Sequence, residues 1–496
     1  MRSWPRLVSL LCAVSMVCAI IPMAAQPAVA GTPVSVKIAV AAPLSAGSTT
    51  LGQAMQHGAE LAVSEYASQL ASAGVTVTVS PQDDQGNPST AVTVANAIVA
   101  DPSILGVVGH LDSGCSVPAS KIYHTADLAM ITPMSAAPVL TQQGLDNVFR
   151  TCGTDTGQGS LGADVAVKNL RLKRAYVVDD STDFGRVQLA NGFAKRFAAN
   201  GGSVVGRAHT SSNQTTFKAV AAKIKAAKPS VVYYGGTPNS GAYLLRRLRS
   251  IGVKCQFVGG SGPYDSAFVS IAGEANAKGV LATAVGLPND QLYNGAAYES
   301  WFASAFPGVE SIDRDDAYAY DATVAIIKAM LGVAHDSGAS ALTNSSARDR
   351  VRAKVAATDF YGVTGRLRFG SGGDRVSPQF SAWRVSSGAW LETAIIGKPE
   401  VSKSYEARRV DVLGSLSPQL PTDSHTVRLL FYRKSGSGYV LAKTVVAGVA
   451  DSSKASSCTY EAFSVRLAKG SYYVFARQSG NGLATMDSPV RLFSVK

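Results

Sequence analysis

The sequence predicts an α/β chain of two lobes, each built on a parallel sheet, followed by a small all-β domain. Three observations carry that reading. From Thr32 to about Lys398, short apolar runs alternate with amphipathic stretches. Most of those runs are built on a continuous apolar stretch, as strands are when both faces of a parallel sheet are covered. After Pro399 the residues alternate apolar and polar, with Ser, Gly and Asp turns and no helical period. A chain of 496 residues exceeds one ordinary core. Its 46% hydrophobic and 16% charged residues are those of a folded protein.

The first thirty residues stand apart. Arg2 and Arg6 precede the apolar run LVSLLCAVSMVCAIIPMAA, and Ala28-Val29-Ala30 forms a small-residue cleavage site before Gly31. Residues 1–30 are expected to be a secretory signal, so the protein is exported, to the periplasm, the cell surface or the medium. An uncleaved membrane anchor is the alternative. Cys18 is preceded by Val17, where a lipidation signal wants a smaller side chain.

The strands then read as SVKIAVAAP, VTVTVSPQD, ILGVVGHL, RAYVVDD, SVVYYGG, QFVGG and VLATAVGL. Between them LGQAMQHGAELAVSEYASQLASAG, AVTVANAIVAD, GRVQLANGFAKRFAANGG and AYLLRRLRSIG carry apolar residues three and four apart, most with a Gly near the end. Alternation of this kind means a right-handed parallel sheet. About 365 residues is too many for one such sheet, so two lobes are expected. The tail runs RRVDVLGSL, HTVRLLFYRK, YVLAKTVVAG, YEAFSVRLA and SYYVFARQ predict a β-sandwich over 399–496.

Charge and cysteines narrow the function. From Val401 onward thirteen Lys and Arg face six Asp and Glu, +7 of the total +12. Such a tail suits an anionic envelope polymer or lipid head group, or simply a soluble surface. Without aromatic–basic interleaving, nucleic acid is not an expected partner. Cys115, Cys152, Cys255 and Cys458 remain after the signal, with no CxxC, no HExxH and no paired histidines, so no metal or cofactor is implied. There is no GxSxG elbow, GxGxxG or P-loop to support an enzyme. Asp83-Asp84 follows a strand end and reads as a turn cap.

One turn carries the functional signal. ILGVVGHL stops at Asp112-Ser113-Gly114-Cys115, and VPASKIYHTADL starts a helix. Ligands in open α/β sheets bind beyond the carboxyl ends of the strands, and a helix start offers unpaired N–H groups to an anion. Ser113 adds a hydroxyl and Gly114 permits close approach. An ordinary N-cap is the other reading of this segment. The next strand, LAMITPMSAAP, ends in a second small polar turn, Met134-Ser135-Ala136. Two adjacent strand ends of this kind favour a carboxylate cradle.

The run GHLDSGCSVPASKIYHTADLAMITPMSAAPVLT, with NVFRTCGTDTGQG, DFG, VVYYGGT, GVKCQFVGGSG, AGEANAKGV and DAYAYDA, resembles the leucine/isoleucine/valine-binding proteins, type I solute-binding proteins of branched-chain amino-acid ABC transporters. The resemblance spans Val34 to Ile396. It implies two Rossmann-like lobes within 31–398, the first from 32–152 and 287–365, the second from 153–286 and 366–398, joined by three crossovers. It also implies a solute in the cleft and delivery to a transporter permease. Ser113 stands at the carboxylate-binding serine, and Met134, Ser135 and Ala136 at the turn that binds carboxylate and ammonium. Leu51 and Thr237 fall where relatives carry tyrosines, and Phe184 at an aromatic that covers the ligand.

The departures matter as much. Ala136 replaces the family threonine, and Ser261 the acid that pairs with the ammonium. A buried ammonium needs a counter-charge, so Asp112 or Asp315 must replace that acid, or the solute is not an α-amino acid. The same resemblance places Cys115 and Cys152 near one face of the first lobe. It implies a disulfide between them worth about 3–4 kcal/mol, with Cys255 and Cys458 unpaired. A ligand-sensing surface receptor on the same fold, and a binding protein for a non-amino-acid carboxylate or amide, are the alternatives.

Overall fold

The computed structural model describes residues 33–392 apart from 182–187, 290–291, 293, 310 and 312–314, and beyond them the strands between 395 and 495. The first lobe runs β1 (Val34–Ala42), α1 (Thr49–Glu65), α2 (Ala67–Ser72), β2 (Val75–Asp83), α3 (Pro88–Ala100), β3 (Ile104–Gly109), α4 (Ser113–His124), β4 (Met130–Thr132) and β5 (Val148–Arg150). Its sheet has the order β2-β1-β3-β4-β5, parallel throughout. In β1, Ile38, Val40 and Ala42 enter one core, while Ala39 and Ala41 enter another with Ala95 and Ala119. That is why β1 reads as an unbroken apolar run. Edge strand β2 instead buries Val75 and Val77 and exposes Thr76 and Thr78.

The second lobe runs α5 (Asp155–Asp164), β6 (Arg174–Asp179), α6 (Asn191–Ala199), β7 (Ser203–His209), α7 (Lys218–Ala227), β8 (Val231–Gly235), α8 (Pro238–Ser250), β9 (Gln256–Gly259), α9 (Ser266–Ala272), α10 (Glu274–Ala277) and β10 (Leu281–Val285). The chain then returns through α11 (Gly295–Ala305), α12 (Asp315–Ser337), α13 (Ala347–Ala356) and the hairpin β11 (Asp359–Gly362) and β12 (Gly365–Arg368). It crosses back to finish the second sheet with β13 (Phe380–Ser386) and β14 (Ala389–Glu392). That sheet has the order β7-β6-β8-β9-β10-β13-β14, with β13 antiparallel to β10. The lobes are therefore joined after β5, after β10 and after β12.

Helix α12 anchors the first lobe. Its 22 residues Asp316–Ser337 are apolar enough by composition to cross a membrane, yet they are mostly buried here. α1 packs on it so closely that a Cβ on Gly58 would lie 2.1 Å from the Asp316 carbonyl oxygen. Beyond 392, strands Arg409–Ser417, His425–Ser435, Gly438–Ala450, Cys458–Arg466 and Gly470–Gly480 pair antiparallel. The secretory signal expected over 1–30 lies outside the described residues.

The expected Cys115–Cys152 disulfide is corrected: both are free, buried thiols. Cys115 lies one turn before Ala119, whose side chain enters the core on the α3 and α4 side of the sheet. Cys152 packs into the core on the α12 side. Burial pushes each thiol up to about 12, so both remain protonated at neutral pH. Cys255 is also free.

Candidate ligand-binding site

A cavity of about 910 Å³ opens between the lobes, beyond the carboxyl ends of β3 and β4. Leu111, Asp112, Ser113, Gly114, Val117 and Pro118 line it from the β3–α4 turn, and Met134, Ala136, Ala137 and Val139 from the segment after β4. The second lobe contributes Asp155 and Gln158 of α5, with Gln188, Ser261 and Val285.

The first-lobe wall starts with α4, one turn earlier than its sequence suggests: Ser113-Gly114-Cys115 is the first turn itself. Cys115 and Ser116 already donate to the Asp112 carbonyl, at 3.0 and 2.9 Å, so the amides of Ser113 and Gly114 are left without an intrahelical acceptor. Asp112 is the N-cap residue, but its carboxylate makes no capping bond. Burial, then the charge of Asp84, raises the Asp112 carboxyl above its ordinary range, while His110 opposes. Ser113 Oγ accepts from the Ala137 amide at 3.2 Å, which ties the two strand-end turns together. At Gly114 a Cβ would meet only Pro88, at 3.6 Å, so the glycine keeps the wall open rather than relieving a clash.

Ser135 departs from its expected role. Its hydroxyl does not line the cavity; it lies 3.0 Å from the carbonyls of His110 and Leu111 and 2.6 Å from Ser116 Oγ. Thr132 Oγ1 donates to the same His110 carbonyl at 2.8 Å and accepts from the Ser135 amide at 2.9 Å. Arg150 braces the turn from behind, donating to the carbonyls of Ser135 and Ala137 at 2.8 and 3.2 Å and pairing with Asp374 at 2.7 Å. Ser135 is thus part of the frame that holds Met134, Ala136 and Ala137 against the cavity.

Below the α4 turn lies a buried row. His110 Nδ1 is 2.6 Å from Asp84 Oδ2 and its Nε2 is 3.0 Å from the Tyr123 hydroxyl. Its neighbour Asp83 accepts from the amides of Leu44, Ser45 and Gln85. The pair expected as a turn cap therefore divides its work: Asp83 holds the loop after β1, and Asp84 holds the ring of His110.

The second-lobe wall contains the residues that sequence reasoning missed. Asp155 opens α5 and is 3% exposed; its carboxylate has no hydrogen-bond donor among the described residues. Burial pushes it up to about 7, against the pull of Arg150. One turn on, Gln158 is fully buried, donates through Nε2 to the Thr283 carbonyl at 2.5 Å, and leaves Oε1 without a donor. The signal was present in FRTCGTDTGQG, where a second helix starts directly after a strand.

The remaining expected residues divide. Ser261 lines the cavity. Thr237 does not: at the start of α8 its hydroxyl donates to the Ser212 carbonyl at 2.7 Å, beside a separate cavity of about 440 Å³. Leu51 packs partly buried against the first-lobe core in the first turn of α1. Asp315 is the first residue of α12, and Phe184 lies outside the described residues.

Comparison with known proteins agrees with the two-lobed α/β fold. The sequence model of the periplasmic binding protein family matches residues 35–389. Leu/Ile/Val-binding protein homolog 3 of Brucella melitensis biotype 1 is 31% identical over 73% of this chain and 93% of its own length. The fold is shared with an ABC transporter substrate-binding protein from Desulfitobacterium hafniense in complex with Leu, at TM-score 0.60 and 22% identity, over 72% of this chain and all of that one. It is shared equally with a solute-binding protein from R. palustris in complex with benzoate, at TM-score 0.57 and 21% identity, over 72% and 95%.

Proposed function

From the premise that the chain belongs to the periplasmic binding protein family, a class of solute-binding proteins, we propose that it captures an amino acid in the interlobe cavity and delivers it to an ABC transporter outside the cytoplasm. One observation carries the choice of solute. A buried carboxylate without a donor, Asp155, faces a cavity whose opposite wall is a helix start with unpaired amides. The amides of Ser113 and Gly114 suit the ligand carboxylate. Asp155, rather than the Asp112 or Asp315 expected from sequence, suits the ammonium, because the charge most starved of a partner gains most from one.

The benzoate-bound relative favours a second reading, an aromatic carboxylate that needs no acid in the site. Isothermal titration of the purified protein with amino acids and with arylcarboxylates separates the two. Amino acids should bind and benzoate should not; the reverse would remove the amino-acid reading.

Residues 399–496 support a further part of this proposal. Their antiparallel strands and a net charge of +7 from Val401 onward suit a β-sandwich that holds the exported protein to an anionic envelope polymer. A chain ending near Pro399 should bind its solute normally but collect in the culture medium. Equal cell association of the two forms at low and high salt would count against this.

A further inference from the structure

The cavity presents two carboxylates, one from each lobe, and among the described residues that line it there is no Lys or Arg. An amino acid with an aliphatic side chain brings one cation and one anion. Its ammonium can neutralise Asp155 or Asp112, and the other acid then stays in the closed site with the ligand's own carboxylate nearby. Asp112 is the worse placed of the two in that case, since it adjoins Ser113, whose amide belongs to the carboxylate site. It also lies close to Asp84, whose carboxylate is already engaged by the His110 ring. Asp112 is exposed in this structure, so its unpaired carboxylate becomes costly to the extent that closure over the ligand removes it from water.

One more feature points the same way. The rest of the lining is apolar, with Leu111, Val117, Met134 and Val285 among it, which suits a methylene stem. Resting on the amino-acid reading above, we infer that the solute is a cationic amino acid, with a second amino or guanidinium group on an aliphatic stem, and that Asp112 takes the side-chain cation while Asp155 takes the α-ammonium.

The test is calorimetric titration of the full chain at pH 8 with lysine, ornithine and arginine, against leucine and isoleucine, with benzoate as the non-amino control. At least one cationic amino acid should bind about tenfold or more tightly than leucine. Asp112→Asn should abolish that preference, weakening the cationic ligand about tenfold while leucine changes little, and Asp112→Glu should keep it. Because the Asp112 side chain makes no capping bond, neither variant should melt earlier than the parent. Leucine binding as tightly as every cationic amino acid, or Asp112→Asn weakening both classes alike, would overturn the inference and leave the amino-acid reading standing. Binding of benzoate alone would remove both.

Discussion

Both walls of the cavity use one device, a helix that starts directly after a strand, and they put it to opposite use. At α4 the cap side chain is idle, the Ser113 hydroxyl is spent on the Ala137 amide, and what faces the cavity is backbone N–H. At α5 the Thr154 hydroxyl caps the helix by accepting from the Gly157 amide at 3.1 Å, and the side chain that brings charge to the cavity is Asp155. The first lobe therefore offers backbone donors beside the Asp112 carboxylate, and the second offers the Asp155 carboxylate with no cationic side chain beside it among the described lining residues. A ligand with an anionic and a cationic end satisfies both only when it touches both lobes, which is a physical reason for closure on binding.

The sharpest way to break that contrast is Asp155→Asn. It should cost about 3–5 kcal/mol of affinity for an amino acid, because the ligand ammonium is then buried without a counter-charge. Calorimetry at pH 8 checks this, and a loss below about tenfold, roughly 1.4 kcal/mol, would put the ammonium elsewhere.

The same substitution should stabilise the empty protein. Burial raises the Asp155 carboxyl from 3.8 to about 7, so the folded state holds a proton that the unfolded state has released. Ionised Asp155 therefore costs stability increasingly as pH rises from about 4 to about 7, and the cost is complete above that range. Asp155→Asn should melt later than the parent at pH 8, by something on the order of 2 kcal/mol, and the gain should fade toward pH 4. A gain independent of pH would show that Asp155 is not the titrating group. Ligand affinity should follow the mirrored course, rising with pH through about 7 as Asp155 becomes free to pair.

Ser135→Ala tests the first-lobe frame. Its hydroxyl serves the carbonyls of His110 and Leu111, so the change should cost about 1–2 kcal/mol of stability and leave affinity within about threefold of the parent. A large loss of affinity without loss of stability would return Ser135 to direct ligand contact. The smallest expected effect concerns the thiols. Melting with and without reductant should coincide, and Cys115 and Cys152 should react with a thiol reagent only after unfolding.

Much of this was legible in the sequence, for identifiable reasons. Runs such as ILGVVG read as strands because both faces of β3 are buried. Strand β7 did not, because it is an edge strand whose residues are mostly half or fully exposed. Helix α12 gave no amphipathic signal because it is surrounded by core. That Ser113, Gly114, Met134 and Ala136 would line one cavity was legible because strand ends followed by helix starts are local patterns, and Asp155 lies at another such start.

What the sequence alone determined is therefore the local grammar: which segments are strands, where helices begin, and that small polar turns end β3 and β4. These follow from side-chain spacing along the chain. Only the tertiary structure decided which of those groups are already satisfied. Ser135 and Thr237 look like binding hydroxyls until His110 O, Leu111 O and Ser212 O are brought to them from elsewhere in the chain. Cys115 and Cys152 look like partners until folding leaves each as a separate buried thiol. Asp155 looks like an ordinary first-turn acid until folding buries it facing a cavity with no donor to it among the described residues. Satisfaction of a polar group depends on atoms distant in sequence, and it is the unsatisfied groups that a ligand must complete.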